Sequence, residues 1–513
     1  MEDMMGKLAD LEQRKGKIKL GGGTEAIEKQ HAQGKLTVRE RIDILLDPGT
    51  FTELDIFAAR QPTVMAWDQK ETPADGIVTG YGKINGRMVS LWAQDFTVMS
   101  GAVGETHARK LCKATDLAYE MKIPLIGLMD GAGGRLQEPL APINVATYFL
   151  AKMARNSGVV PQITAILGPV PGMSYTIQLT DFIIMAKETG FQYVTSPRIV
   201  KRMTGEDVTH QELGGARIHS QISGCCDLVG ADDKACLQQI KDLLSFVPSS
   251  CEEYPAIVDT GDKPDRIAAD MIELVPTGVN ELYDMREVIA RIVDTSYFFE
   301  LKPDFAKNII TCFARLGGRS VGIVASQPMV KAGVIDTDAA DKMTRFIRFC
   351  DAFNIPLIYL VDTPGVIIGT TEERKGILRH GAKAAYAVAE ATVPQIQVCI
   401  RKSYAGGYIL MGSKALGIDL AFAWPTAEVG FMSSPAAGTT LLRKLDDGQQ
   451  KEKEKEYSSK LIDIYWVAGR KDTDMIEDII DPRQTRPILI KALDVTSHKR
   501  KSIPSRKHGN MPV

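Results

Sequence analysis

Long apolar runs, a signal peptide and a strong net charge are all missing from this sequence of 513 residues. No apolar stretch approaches the roughly 20 residues that span a bilayer, which argues against a membrane-spanning protein. The first seven residues are charged and lack an apolar core, which argues against secretion. A net charge of −2 leaves no electrostatic footprint for nucleic acid. We therefore expect a cytoplasmic protein with no nucleic-acid partner.

Metal, redox and nucleotide-binding motifs are absent too. The eight cysteines include no CxxC pair, so the sequence supports neither a zinc ribbon nor a dithiol redox site. It contains no HExxH motif and no close pair of histidines, which argues against a catalytic metal. No GxxxxGK[ST] loop occurs, so we expect no ATP site on this chain. Gly131 and Gly133 lack the third glycine that a dinucleotide-binding motif requires.

The chain instead contains an internal repeat. The segment Ile-Pro-Leu-Ile at 123–126 recurs at 355–358, an offset of 232 residues, and Asp130 recurs as Asp362 at the same offset. The further matches are Lys110 with Lys342, and Val-Pro-Gln-Ile at 160–163 with the same segment at 393–396. A period this long excludes a solenoid, whose repeats are about 20–50 residues. We infer a duplicated domain.

The two copies are predicted to be 1–260 and 261–513. The segment 248–264 is rich in Pro, Ser, Asp and Gly and is typical of a linker. Each copy predicts a helix, a short apolar strand, a turn that contains glycine, another helix and a second apolar strand. The predicted ranges are 105–122, 125–129 and 163–167 in the first copy, and 341–354, 357–361 and 396–400 in the second. This alternation indicates an α/β fold with buried parallel strands.

Glycine-rich turns follow the predicted strands in both copies, at 130–135, 168–173, 362–365 and 404–408. Glycine lets backbone N–H groups approach a ligand closely, and a helix that begins at the turn adds its positive end. Two such groups can hold an oxygen that becomes negative in a transition state, typically worth about 2.7–4 kcal/mol per donor. The glycine-rich turns occur at corresponding positions in both copies, which favours a catalytic role over a role as ordinary tight turns.

A basic segment near the N-terminus has two interpretations. Its cations are Lys29, His31, Lys35, Arg39 and Arg41. It is either a solvated arm that packs on the domain or a positive edge that meets a phosphate. The residues alone leave both interpretations open.

Segments along nearly the whole chain resemble the biotin-dependent acyl-CoA carboxyltransferases of the propionyl-CoA carboxylase and methylmalonyl-CoA decarboxylase type. In the first copy these are residues 21–23, 29–37, 73–76, 93–97, 130–138, 204–209 and 213–216. In the second copy they are residues 341–351, 376–383, 423–428 and 507–510. The resemblance implies two tandem crotonase-type domains, which agrees with the internal repeat.

The resemblance also implies an activity and partners. Family members form a ring of six chains, and each active site is shared between the first domain of one subunit and the second domain of another. The first domain binds an acyl-CoA and the second binds biotin attached to a separate carrier protein. Carboxybiotin releases CO2, biotin takes a proton from the acyl α-carbon, and the resulting enolate attacks the CO2. Partner subunits are then the biotin carboxyl carrier protein and either a biotin carboxylase or membrane decarboxylase subunits.

By position, the resemblance assigns two oxyanion holes. The thioester hole falls at Gly172 and Met173, and the biotin hole at Gly406 and Gly407. The residues implied to bind substrate are Gly133, Gly134, Arg135, Tyr408 and Ile409. The family usually has Ala-Gly-Gly at the first hole, so we expect the Met173 side chain to reshape the acyl pocket. An apolar Ile409 disfavours a charged acyl tail.

Two other functions remain open from the sequence. One is a biotin-independent crotonase-type hydratase or isomerase, for which Glu138, beside a glycine turn, is the clearest candidate base. The other is a non-catalytic subunit that binds coenzyme A as a scaffold.

Overall fold

The computed structural model describes residues 3–60, 70–138, 140–278, 280–441, 446–502 and 504–512. The chain divides into two compact units between Glu253 and Tyr254. This division lies within the segment expected to be a linker and before the boundary placed at residue 260. Each unit has its own sheet and hydrophobic core.

One mixed sheet forms the centre of the first unit. The strands of this unit are β1 (Thr52–Leu54), β2 (Ile77–Ile84), β3 (Arg87–Gln94), β4 (Leu125–Met129), β5 (Gln162–Ile166), β6 (Pro169–Pro171), β7 (Phe182–Ala186), β8 (Phe191–Tyr193) and β9 (Leu228–Gly230). The sheet has the order β1-β2-β3-β4-β5-β7-β9, and β6 pairs with β8 separately. β1, β2 and β3 pair antiparallel, and the pairs from β3 to β9 are parallel. Every residue of β4, β5 and β7 is buried, as expected for parallel strands that are covered on both faces.

Helices precede and cover this sheet. They are α1 (Met4–Lys19), α2 (Thr24–Ala32), α3 (Val38–Leu45), α4 (Glu105–Met121), α5 (Ala141–Asn156), α6 (Ser174–Ile177), α7 (Pro197–Thr204), α8 (His210–Gly214), α9 (Ala216–Gln221) and α10 (Asp233–Leu244). A capping box between Thr37 and Glu40 fixes the start of α3. α4 ends at Met121, and the next residue, Lys122, is left-handed at φ 56°. Pro124 follows two residues later.

The second unit repeats this architecture. Its strands are β10 (Phe298–Leu301), β11 (Ile309–Leu316), β12 (Arg319–Ser326), β13 (Leu357–Thr363), β14 (Gln395–Tyr404), β15 (Leu420–Ala423), β16 (Glu428–Gly430) and β17 (Asp478–Ile479). The sheet order is β10-β11-β12-β13-β14-β15-β17, with β16 paired to the end of β14. β10, β11 and β12 are antiparallel, and the other pairs are parallel.

The helices of the second unit again lie mainly between parallel strands. They are α11 (Met271–Leu274), α12 (Met285–Ile292), α13 (Thr337–Ala352), α14 (Thr370–Lys375), α15 (Ile377–Glu390), α16 (Ala405–Leu410), α17 (Ser434–Leu441), α18 (Asp447–Tyr457), α19 (Ile464–Gly469) and α20 (Thr485–Thr496). The α/β prediction is therefore confirmed in both units.

Two predicted boundaries differ from the structure for identifiable reasons. α13 begins at Thr337, earlier than the predicted start at 341, because the Asp336 side chain accepts the Ala339 N–H and caps the helix. β14 continues to Tyr404, past the predicted end at 400, because residues 402–404 pair with β16.

The repeat extends to details of the backbone. An isolated parallel bridge joins Val103 to Gly134 in the first unit, and its counterpart joins Ile335 to Val366 in the second. Both members of the second bridge lie 232 residues after those of the first. Positive φ angles recur at the same offset, in Lys122 and Asn354 and in Gly101 and Gly333. The two units therefore share one backbone frame around the turns that follow β4 and β13.

Candidate functional site

Two turns meet at the carboxyl ends of β4 and β5. The first, residues 130–135, follows β4 and is left-handed at Gly133, with φ 89°. A Cβ atom on Gly133 would lie 2.8 Å from the carbonyl oxygen of Pro171, and one on Gly168 would lie 1.8 Å from Oδ1 of Asp130. These distances show that the two turns are packed directly together. Glycine is required at both positions because a side chain would separate the turns.

The second turn connects β6 to the short helix α6. Gly172 is exposed and left-handed, with φ 75°, and its N–H points to the Tyr193 carbonyl at a long 3.4 Å. The preceding Pro171 has no N–H, so the donors of this turn begin with Gly172. The Ser174 hydroxyl lies 3.0 Å from the Val170 carbonyl oxygen and 2.9 Å from that of Tyr193, which fixes the start of α6.

Free backbone donors remain at these two turns. Among the described residues, no acceptor takes the N–H of Gly133, Gly134 or Met173. The Met173 side chain is only 7% exposed and belongs to the core cluster of the first unit. The side chain therefore packs in the core, and its expected effect on the acyl pocket stays a prediction.

A buried charge network lies behind the first turn. Asp130 accepts hydrogen bonds from Lys35 Nζ at 2.8 and 3.0 Å and from Arg41 Nη1 at 2.9 Å, and Arg41 also binds Asp233 at 2.7 Å. Burial lowers the pKa of Lys35, although Asp130 opposes this shift. Burial also opposes the charge of Arg41, but Asp130 and Asp233 outweigh it and raise its pKa.

This network favours one interpretation of the basic segment. The remaining basic residues also contact carboxylates: Lys29 with Glu25, His31 with Glu40, and Arg39 with Glu53. These contacts favour a packing arm over a positive edge that meets a phosphate. Arg41 and Lys35 are instead internal counter-charges for Asp130, so the segment is a packing arm that supports the turn.

Arg135 and Glu138 form a second buried cluster. Arg135 Nη1 lies 2.8 Å from both Asp75 Oδ1 and Glu138 Oε1, and Nη2 donates to the Ala102 carbonyl at 3.0 Å. Glu138 also accepts the N–H of Glu105 at 2.8 Å, at the start of α4. The guanidinium is fully buried, so any substrate contact of Arg135 would have to be made by its backbone. Glu138 likewise serves as an anchor for α4, which does not favour its role as a general base.

The second unit has a corresponding pair of turns. β14 leads into α16 through Ala405, whose φ is 44°, and α16 has no side chain that caps its first N–H groups. A Cβ on Gly407 would lie 2.7 Å from Thr363 Cγ2 and 2.9 Å from Gly365 Cα, so the turns after β13 and β14 are also packed together. Within the described chain, the N–H groups of Gly406 and Gly407 have no acceptor, as expected for the first turn of a helix.

The sequence reasoning missed one donor and one supporting pair here. Val366, the counterpart of Gly134, also has an N–H without an acceptor in the described residues. The offset of 232 residues, extended from Asp362, would have found it. The hydroxyl of Tyr404 donates a short hydrogen bond to Glu428 on β16 and so ties the end of β14 to its neighbour. No motif pointed to this contact, because the two residues meet only through strand pairing.

Tyr408 and Ile409 lie on α16 directly after the turn. Ile409 is 45% exposed, and Tyr408 is half-buried with a pKa raised by burial. They therefore place an apolar and an aromatic side chain beside the donors of the second unit.

Other candidate chemistry is limited in the part of the chain that the structure describes. No cluster of three His, Cys, Asp or Glu side chains there could hold a metal ion. None of the described helices combines the length and apolar character needed to cross a membrane.

Comparison with known proteins decides the family. The carboxyl transferase domain matches residues 29–511. The chain belongs to the carboxyl transferase family. This carboxyltransferase is 44% identical to methylmalonyl-CoA decarboxylase subunit alpha of Propionigenium modestum, over 99% of each chain. It is 43% identical to the propionyl-CoA carboxylase carboxyltransferase subunit of Haloferax mediterranei, over 100% of each chain.

A solved structure supports the same relationship. The structure of transcarboxylase 12S matches the carboxyltransferase with a TM-score of 0.97 and 42% identity, over 100% of both chains. The expected fold, two tandem crotonase-type domains, is therefore confirmed. The expected function is also confirmed: this is the carboxyltransferase subunit of a biotin-dependent acyl-CoA carboxylase or decarboxylase. Its substrates are an acyl-CoA thioester and carboxybiotin supplied by a partner carrier.

Proposed function

We propose that this carboxyltransferase interconverts methylmalonyl-CoA and propionyl-CoA. The 44% and 43% identical relatives are named for one or the other of these thioesters, and the transcarboxylase 12S structure contains bound methylmalonyl-CoA. The burial of Met173 in the core removes the main objection to a small acyl group. Ile409 adds an apolar surface, which suits a methyl branch better than a charged tail.

The observation that carries the site assignment is the matched pair of turns. In the second turn of each unit, the N–H groups of Met173, Gly406 and Gly407 have no acceptor among the described residues, and the Gly172 N–H makes only a long contact of 3.4 Å to the Tyr193 carbonyl. We assign the thioester oxyanion hole to Gly172 and Met173, with Gly133 and Gly134 in the adjoining turn. When the bond between the α-carbon and the carboxyl group breaks, its electron pair moves toward the thioester carbonyl. The oxygen then becomes negative, and preorganised N–H groups stabilise that charge without reorganising. No side-chain base is needed for this step.

The second unit is assigned to biotin, with Gly406 and Gly407 as donors and Tyr408 and Ile409 beside them. Bound biotin supplies the ureido nitrogen that accepts or releases the carboxyl group. The fit rests on the uncapped start of α16, where two N–H groups lack acceptors among the described residues. Residues 1–260 would therefore be the acyl-CoA side of the reaction and 261–513 the biotin side.

Assembly and partners follow from the same proposal. The related transcarboxylase 12S assembles as a hexamer, and we infer a homo-hexamer for this chain. A biotin carboxyl carrier protein would deliver biotin, together with biotin carboxylase or membrane decarboxylase subunits. Five buried cysteines are free, namely Cys112, Cys236, Cys312, Cys350 and Cys399. They fit a reducing compartment, which supports the cytoplasm as the place of action.

A test of the substrate uses the purified chain with free biotin. Malonyl-, methylmalonyl- and glutaconyl-CoA are supplied in turn, and the decarboxylated thioester is followed by mass spectrometry. We expect biotin-dependent formation of propionyl-CoA from methylmalonyl-CoA. Faster turnover of another thioester would reject the proposed substrate. Binding of coenzyme A without any turnover by a folded hexamer would favour a scaffold.

A pair of variants tests the first oxyanion hole. Met173 has φ −91°, near the range of proline, so Met173→Pro removes its N–H with little change of backbone. Met173→Ala also removes the side chain but keeps the N–H. Loss of one such donor should reduce kcat about 10²–10³-fold in the proline variant relative to the alanine variant. Equal rates, with both variants folded by circular dichroism, would rule out Met173 as a donor.

A further inference from the structure

The second unit contains a cavity of about 580 Å³ at the edge of its sheet away from the candidate turns. Ser320 near the start of β12, Pro356 just before β13 and Pro394 just before β14 all line it. β12, β13 and β14 are parallel, so these residues mark the amino-terminal ends of three neighbouring strands. The turns that contain Gly365 and Gly406 follow the carboxyl ends of the same sheet. Within this unit, the cavity is therefore separate from the turns assigned to biotin.

The charge of the lining is entirely positive. The cations that line the cavity are Arg319, Lys499, Arg500 and Lys501, and no Asp or Glu is among the described residues of its lining. Asp494 and Asp419, outside the lining, neutralise Arg319 and Lys499. No carboxylate among the described residues pairs with Arg500 or Lys501. Arg500 and Lys501 therefore make no ion pair there, although Asp351, Asp419 and Glu390 lie near enough to Lys501 to oppose part of its pKa shift.

Backbone contacts hold these cations in place. Lys501 Nζ donates to the carbonyl oxygens of Ala389 at 2.7 Å and Ala391 at 3.0 Å, at the end of α15. Lys499 Nζ donates to the Val393 carbonyl at 2.9 Å. Burial, followed by the charge of Lys499, lowers the pKa of Lys501. An anion in the cavity would relieve this repulsion without requiring either lysine to be reoriented.

The remaining walls are largely apolar. Tyr254 and Ile257 on one side are 64% and 67% exposed, and Leu493 of α20 and Val393 are buried beneath the cavity surface. A convergent set of cations on an apolar surface is typical of a pocket for a small organic ligand, and the volume lies in the usual range of about 300–1,000 Å³.

We propose that this cavity binds a small amphipathic anion, with a carboxylate or phosphate head and an apolar body. The head would lie against Arg500 and Lys501, and the body against Tyr254 and Ile257. The proposal is independent of the assignment of the two oxyanion holes, since it shares no residue with them.

The test measures binding to the full-length chain by isothermal titration calorimetry. The probes are octanoate and octyl phosphate, with octan-1-ol as the uncharged probe and acetate as the probe without an apolar body. We expect octanoate or octyl phosphate to bind, and both octanol and acetate to bind at least about tenfold more weakly. The probe that binds with the higher affinity, octanoate or octyl phosphate, identifies the preferred head group. Equal affinity for octanol, or no binding of either anion at millimolar concentration, would overturn the proposal.

Variants locate the binding. The double variant Arg500→Gln, Lys501→Gln should weaken binding of the anion about tenfold or more, whereas Lys471→Gln, an exposed lysine of the same unit outside the cavity, should not. Ile257→Asp adds a negative charge at the wall without touching the cations and should weaken binding as well. Unchanged affinity in both the double variant and Ile257→Asp, with carboxyl transfer intact as a check on the fold, would place the anion elsewhere.

Discussion

Asp130 and Asp362 occupy the same position in the two repeats, yet they obtain their counter-charges from different places. Asp130 binds Lys35 and Arg41, which belong to the N-terminal arm. Asp362 binds Arg401 at 2.8 Å, from the neighbouring strand β14, and accepts the hydroxyl of Tyr283 at 2.9 Å. The duplicated frame therefore preserved a buried carboxylate behind each turn, while each unit acquired its own cations.

This difference makes the first turn dependent on a segment distant in sequence. Its carboxylate is neutralised only when the arm folds over it, because Lys35 lies 95 residues before Asp130. The carboxylate of the second turn obtains its counter-charge from within its own sheet, from Arg401 on β14. The comparison indicates that the conformation of the first turn depends on the packing of the arm, whereas the conformation of the second turn does not.

The largest expected effect comes from removal of the two carboxylates. Asp362→Asn leaves the buried Arg401 without its counter-charge and should cost about 3–5 kcal/mol of unfolding free energy. Asp130→Asn should cost less, because Arg41 retains Asp233 and Lys35, whose pKa is already lowered, can lose its proton. Urea unfolding followed by circular dichroism measures both losses. An Asp130→Asn loss that equals or exceeds the other would contradict this comparison.

The matched lysines offer a second comparison. Lys342 Nζ lies within 2.7–3.4 Å of the carbonyls of Lys302, Phe305, Ala306 and Ile309, whereas Lys110 Nζ donates to Ala74 and Ile77 at 2.9 and 2.6 Å. The carbonyls of Lys302, Ala306 and Ala74 also accept a backbone N–H, so they would keep one partner. We expect Lys342→Met to destabilise the chain more than Lys110→Met, because Lys342 contacts four carbonyls and Lys110 only two, and each lost hydrogen bond costs about 1 kcal/mol. Thermal unfolding of the two variants checks the order. Equal losses would mean that the carbonyls around Lys342 find other donors.

The contacts that hold the two turns should have smaller effects. Ser174→Ala removes the hydroxyl near the Val170 and Tyr193 carbonyls, and Tyr404→Phe removes the hydrogen bond to Glu428. We expect each to cost about 1 kcal/mol of stability. If the assignments hold, Tyr404→Phe should raise KM for free biotin, and Ser174→Ala should raise KM for the acyl-CoA. Steady-state kinetics, with the concentration of each substrate varied in turn, measures both KM values. An increase in KM for the other substrate in each variant would reverse the assignments.

The smallest expected effect is on the pH dependence of stability. Burial lowers the pKa of Lys342 to about 7 and that of Lys110 to about 8, from 10.5 in the unfolded chain. Above these values the unfolded state binds more protons, so the unfolding free energy rises with pH up to about 10.5. Between pH 7 and 8 the rise should be about 1 kcal/mol from Lys342 and less than half of that from Lys110. Urea unfolding at both pH values should therefore show a flatter rise in Lys342→Met than in Lys110→Met.

Local periodicity and the repeat predicted much of the fold. Apolar runs bounded by Pro, Asp and Gly predict β4, the start of β13, the α/β class and the positions of the glycine turns. These signals act over a few residues. The limits of β14 and α13 could not be predicted in this way. They depend on the pairing with β16 and on the cap from Asp336.

The candidate site was predictable where its chemistry lies in the backbone. Gly406 and Gly407 stand out in the sequence because glycine permits close approach, and the structure leaves their N–H groups without acceptors among the described residues. The partners of Asp130 and Asp362 were not predictable, since charge pairing across 95 or 39 residues leaves no local pattern. The burial of the Met173 side chain was not predictable either, because core packing, and not the turn, determines where it lies.

The use of main-chain donors has a consequence for inheritance. Catalysis at such a site tolerates codon changes at Met173 that keep the core filled, because every residue except proline supplies the same N–H. The codons that do not tolerate substitution would instead be those of Gly133, Gly168 and Gly407, where even one added carbon collides with the facing turn. Genetic variation that inactivates this protein should therefore concentrate at positions that contribute no side chain to the reaction.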